Sequence, residues 1–152
     1  MDLYIAGKGR VGTALSIFFT KQKIPFRIFD DEAIDVSGIL FAAVADSDLK
    51  NLLVKIRSKN RHLNIIHFSG AVKPGIEKCF LLHPYASITK KTDISEIVFT
   101  FWGKKAPVIE KVLSNAGLNF FYAGIHPGSM YHTSAVISGN FTQYFFIAAK
   151  EL

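Results

Sequence analysis

Short unbroken apolar runs along this chain alternate with stretches in which apolar residues recur every three or four positions. Leu3-Tyr4-Ile5-Ala6 opens the series and reads as a strand buried on both faces. Val11, Ala14, Leu15, Phe18 and Phe19 follow at helical spacing. Phe26 to Phe29 predicts a second strand and Ile39 to Val44 a third. A helix capped by Asp46 or Ser47 runs to about Arg57. Asn64 to His67 is the fourth strand; after the turn at Ser69-Gly70, a short helical piece is expected over Pro74 to Lys78. Cys79 to Leu82 is the fifth strand, ended by His83-Pro84, and Ile97 to Phe101 the sixth. Pro107 opens a helix that Gly117 closes, and Asn119 to Tyr122 is the seventh strand. Ser129 to Leu152 reads as one long helix.

Strands alternating with helices predict an α/β fold with a doubly wound, mostly parallel sheet, in the order 3-2-1-4-5-6. One span resists that order. Residues 30–38 are few for a parallel crossover, which takes about a dozen or more. The last helix carries apolar residues almost all round, among them Val136, Phe141, Tyr144, Phe145 and Ile147, so it must be buried. Either it pairs with a second copy, giving a homodimer, or the chain is a shortened form of a larger protein, or the helix lies flat on its own sheet. The expected division is residues 1–128 as one domain and 129–152 as the start of another.

The turn after the first strand sharpens this reading. Gly7-Lys8-Gly9-Arg10-Val11-Gly12 spells GxGxxG between a strand and a helix, with a second strand and then Asp30 following within one unit. Gly7 allows the tight turn, Gly9 lets a pyrophosphate approach the backbone, and Gly12 lets the helix pack closely. The backbone N–H groups of Arg10 and Val11 face the phosphates. Asp30, eighteen residues after Gly12, would accept bonds from the adenosine ribose and repel a 2′-phosphate. The cofactor implied is NAD or NADP, with NAD favoured; Arg10 and Arg27 pull the other way. The bland alternative is a glycine turn that binds nothing.

Composition changes the picture little. The net charge is +6, but the Lys and Arg residues are scattered, and the densest stretch, Lys55 to Arg61, suits a helix C-terminus. No nucleic-acid partner is expected; one would show a steep salt dependence of affinity. Cys79 is the single cysteine and sits in an apolar run, so it reads as a core thiol in a reducing, cytoplasmic setting. No leader or membrane span is expected.

The motifs together resemble a group of bacterial Rossmann-like proteins regarded as oxidoreductases, distant relatives of pyrroline-5-carboxylate reductase, prephenate dehydrogenase and the 6-phosphogluconate dehydrogenase-like enzymes. The resemblance rests on the glycine turn, Val44-Ala45-Asp46, His67-Phe68-Ser69-Gly70, Leu82-His83-Pro84, Tyr131-His132 and Asn140. It implies an NAD(P)-binding domain followed by a helical dimerisation domain, with the substrate pocket between them. This chain departs from the pattern by stopping inside the first helix of that second domain.

Ligands of such sheets bind beyond the carboxyl ends of the strands. Asp46, His67, Ser69, His83 and Tyr85 fall there, and Asp46 and Ser69 join the cofactor candidates. His83, His132 and Asn140 are the catalytic candidates: a histidine to move a proton, an amide to orient a small keto acid, hydroxy acid or imine. His132 and Asn140 lie about 80° apart on a helix. Each has a plainer role available: Asp46 as a helix cap, Ser69 in its turn, His83 shaping the bend before Pro84. No metal site is expected, since neither HxxH nor a cysteine pair is present. The rival function is a dinucleotide-binding module or sensor without catalysis.

Overall fold

The computed structural model describes residues 1–29, 37–72, 77–128 and 130–137, with backbone placement only for His132, Ala135 and Val136. Its elements are β1 (Leu3–Ala6), α1 (Arg10–Lys21), β2 (Arg27–Ile28), β3 (Ile39–Ala42), α2 (Asp46–Lys59), β4 (Asn64–His67), β5 (Cys79–Pro84), a 3-10 turn (Ile94–Glu96), β6 (Val98–Trp102), α3 (Pro107–Asn115), β7 (Asn119–Gly124) and α4 (Tyr131–Val136). The helical piece expected near Pro74 and most of the long C-terminal helix lie outside the described residues.

The seven strands form one sheet in the order β2-β1-β3-β4-β5-β6-β7. This corrects the expected order. β3 pairs with β1 on the side away from β2, with Leu3 opposite Ile39. All four residues of β3 are buried, which demands a place inside the sheet, whereas a position beyond the exposed two-residue β2 would be an edge. β6 is the second departure: it runs antiparallel to β5, with His83 opposite Thr100. The link from β5 to β6 holds only a 3-10 turn and no crossover helix, so the chain doubles back.

Alternation along the strands divides the core in two. Ile5, Phe41, Ile66, Phe80, Phe99 and Phe101 pack with α1 and α3. Tyr4, Leu40, Ile65 and Cys79 pack with Leu49, Leu53 and Ile56 of α2. By the same alternation His67 and His83 point to the α2 face. There, beyond α2, Tyr131 of α4 reaches over β5 and β6, while Tyr85 and Phe121 stack at 6.1 Å and stay about half exposed.

Arg57 closes α2. Its guanidinium donates to the carbonyls of Asn60 (3.2 Å), Leu63 (2.7 Å) and Lys78 (2.9 Å). A cation at a helix C-terminus complements the dipole, as the basic stretch implied. Among the described residues no helix is long and apolar enough to cross a membrane.

Candidate functional site

β1, β3, β4 and β5 are parallel neighbours, so the segments leaving their carboxyl ends line one edge of the sheet. Gly7 leaves β1 with φ +102°, and a Cβ there would run into the Ala43 carbonyl at the end of β3. A Cβ on Gly12 would strike the Gly7 carbonyl, so helix and turn touch backbone to backbone. Gly9 differs. It is the N-cap of α1, and a Cβ there has only the Ala43 oxygen near it, at 4.0 Å. Gly9 has no side chain with which to cap α1, which leaves the N–H groups of Arg10, Val11 and Gly12 without partners inside the helix. That cradle fits a phosphate. Arg10 itself is exposed and Val11 is half-buried against the core.

A cleft of about 590 Å³ opens beside the turn. Gly7 and Lys8 form one side; Ile28 and Phe29 at the end of β2, and Val44, Asp48 and Leu52 at the start of α2, form the others. Asp30, expected to meet the ribose, lies outside the described residues. Asp46 is exposed in the first turn of α2 but does not cap it: the N-cap is Ala45, without a side-chain bond. The cap role is therefore replaced by the milder attraction of a carboxylate to the helix dipole.

Ser69, just past β4, is buried, and its Oγ accepts the Ala71 N–H at 3.3 Å, the turn role foreseen for it. His67 ends β4 fully buried, and among the described residues neither ring nitrogen has a hydrogen-bond partner. Burial pushes its pKa down to about 4, against the pull of the Asp46 carboxylate; the Ser69 backbone also favours the proton from nearby without meeting hydrogen-bond geometry, and His83 adds to the lowering. His67 is thus a neutral imidazole at neutral pH. It pairs with Leu81, so His83 sits two residues further along β5 and the two rings do not bond. Among the described residues no cluster could hold a metal ion.

His83 is inside β5 rather than in a bend, and is buried. Its Nδ1 lies 3.2 Å from the Tyr131 hydroxyl, which lies 2.6 Å from Thr100 Oγ1; Thr100 Oγ1 in turn donates to the His83 carbonyl at 3.3 Å. Keeping all three bonds has Tyr131 donate to Thr100 and His83 Nδ1–H donate to Tyr131. Burial raises the Tyr131 pKa and the Thr100 bond offsets part of the rise, so the phenol keeps its proton at neutral pH. The arrangement is a protonated hydroxyl pair tied to an imidazole. His132 follows Tyr131 in α4, with its side chain outside the described set; Asn140 lies outside the described residues altogether.

Sequence reasoning missed Tyr131 and Thr100 as site residues, and Lys8, Asp48 and Leu52 as cleft walls. Asp48 and Leu52 carried a usable signal: four residues apart, they share a helix face beside the buried stripe of Leu49, Leu53 and Ile56. Nothing local marks Thr100.

No family model matches the sequence, and no curated protein matches it significantly. Solved structures do share the fold. A candidate NADP oxidoreductase from Bacteroides fragilis is 19% identical with a TM-score of 0.69 over 99% of this chain and 71% of its own. An imine reductase from Myxococcus stipitatus in complex with NADP+ is 18% identical, TM-score 0.63, over 99% of this chain and 63% of its own. A reductive aminase from Aspergillus terreus in complex with NADPH and ethyl-5-oxohexanoate is 18% identical, TM-score 0.65, over 94% and 62%. The chain spans less than two thirds of the length of the last two. What it has in common with all three is the Rossmann-like α/β architecture.

Proposed function

We propose that this chain binds a nicotinamide dinucleotide at the glycine turn and serves an oxidoreductase acting on a small metabolite with a keto, hydroxy or imine group. The observation that carries this reading is the uncapped N-terminus of α1 opening, at Gly9, beside the 590 Å³ cleft. When bound, the nicotinamide gives or takes a hydride. The chain's own part is to hold the pyrophosphate on the N–H groups of Arg10 and Val11, with Asp46 and Ser69 completing the edge. His83, with Tyr131 and Thr100, moves the proton that accompanies hydride transfer to a carbonyl or imine. His132 and Asn140 are proposed to orient the substrate, and the apolar segment after α4 to pair two copies.

Two charge arguments compete over the cofactor. Asp30 favours NAD, whereas Lys8 at the cleft, together with Arg10 and Arg27, favours a 2′-phosphate. Structures of the same fold bound to NADP+ and NADPH make NADP the first to try.

Titration of the purified protein with NADPH and NADH, followed by fluorescence, tests the reading. Binding lost in Gly9→Val supports it; no binding of either by the unaltered protein overturns it. Tight binding without turnover of any keto acid or imine would leave the non-catalytic module as the function.

A further inference from the structure

We infer that Asp48 reads the base of the bound nucleotide by accepting the exocyclic amine of adenine, an assignment that rests on the dinucleotide reading above. Three features of the cleft carry it. First, apart from the glycine turn and Asp48, its walls are apolar: Ile28, Phe29, Val44 and Leu52. Ile28 is 52% exposed at the mouth of the cleft, where with Phe29 and Leu52 it offers apolar surface on which a flat ring can lie. Second, the two charged residues stand at different points of the chain: Lys8 in the glycine turn, where phosphates bind, and Asp48 one helical turn before Leu52. Third, Asp48 is the acid of the lining, and among the described residues its carboxylate receives only the Ser47 hydroxyl, at 3.3 Å. A carboxylate beside apolar walls selects a base edge that donates. The adenine amine donates; the hypoxanthine carbonyl at the same ring position accepts and is repelled by the carboxylate, so that base can pair with Asp48 only by shifting in the cleft to offer its N1–H.

A first-turn acid also helps a helix without any ligand, so stability is the wrong readout and base discrimination the right one. The probes are NAD+ and NADP+, each against its hypoxanthine counterpart, titrated calorimetrically into the unaltered protein and Asp48→Asn. The adenine form should bind at least about tenfold tighter to the unaltered protein, the range of one hydrogen bond to a charged group. In Asp48→Asn, whose amide can donate to the hypoxanthine carbonyl, the ratio should fall to about one. Circular dichroism shows that the variant is folded. Equal binding of both bases by the unaltered protein, or a ratio unchanged in Asp48→Asn, overturns the assignment while leaving the dinucleotide reading in place. Binding of neither overturns that reading, and the assignment with it. Tighter binding of nicotinamide guanine dinucleotide than of NAD+ overturns adenine as the base.

Discussion

The two ends of the ligand-facing edge are built in opposite ways. At β1 the surface on offer is backbone: Gly7, Gly9 and Gly12 contribute the absence of a side chain, and the N–H groups beyond them are the ones proposed to hold the dinucleotide. At β5 the working surface is side chain: His83, Thr100 and Tyr131 come from three elements and meet through hydroxyl and imidazole groups. Backbone geometry is set within a few residues and depends on what is missing. Side-chain geometry depends on sheet register and on a helix arriving from far along the chain. The first fails by adding atoms, the second by removing them.

The largest break in this contrast comes from the turn itself. Gly7→Ala should lower stability by about 2–5 kcal/mol in urea unfolding, from positive-φ strain plus collision with the Ala43 carbonyl. Gly9→Val should stay within about 1 kcal/mol of the unaltered protein while losing dinucleotide binding. Equal losses at both positions would show that Gly9 is structural too.

Next comes His67. In the unfolded chain it takes up a proton near 6.5, in the folded chain only near 4. Between those values the unfolded state binds more protons. Stability therefore falls as pH drops from about 6.5 to 4, by up to about 3 kcal/mol from this group, and its share then levels off. His67→Phe should flatten that part of a pH series of urea midpoints; an unchanged slope would mean that His67 is not the group being titrated.

The smallest effect belongs to Tyr131→Phe, at about 1–2 kcal/mol for the lost hydroxyl bonds. It should cut turnover and leave dinucleotide affinity alone. Loss of affinity instead would join the two ends of the edge into one site.

Apolar runs and helical spacing made the strands legible because each is a local property. The glycine turn was legible for the same reason: strand, turn and helix are contiguous. The strand order was not, because the run Ile39–Ala42 says that it is buried on both faces without saying beside which strand. The direction of β6 was hidden likewise, since a run reads the same in either sense. The Tyr131–His83 contact spans 48 residues, and only the antiparallel register that brings Thr100 opposite His83 makes a seat for it. His83 was singled out from its place near a strand end, and its hydrogen-bond partners Tyr131 and Thr100 were not.

The Arg57 clasp has a dynamic consequence. One guanidinium holds the last turn of α2, the approach to β4 at Leu63 and the approach to β5 at Lys78. α2 supplies a wall of the cleft, β4 carries His67 and β5 carries His83. Amides in these three segments should therefore exchange with solvent as one cooperative unit, at a common opening free energy. Should that clasp let go, the α2 wall of the cleft and the strands that carry His67 and His83 would loosen in the same event, while the glycine turn on β1 is held independently.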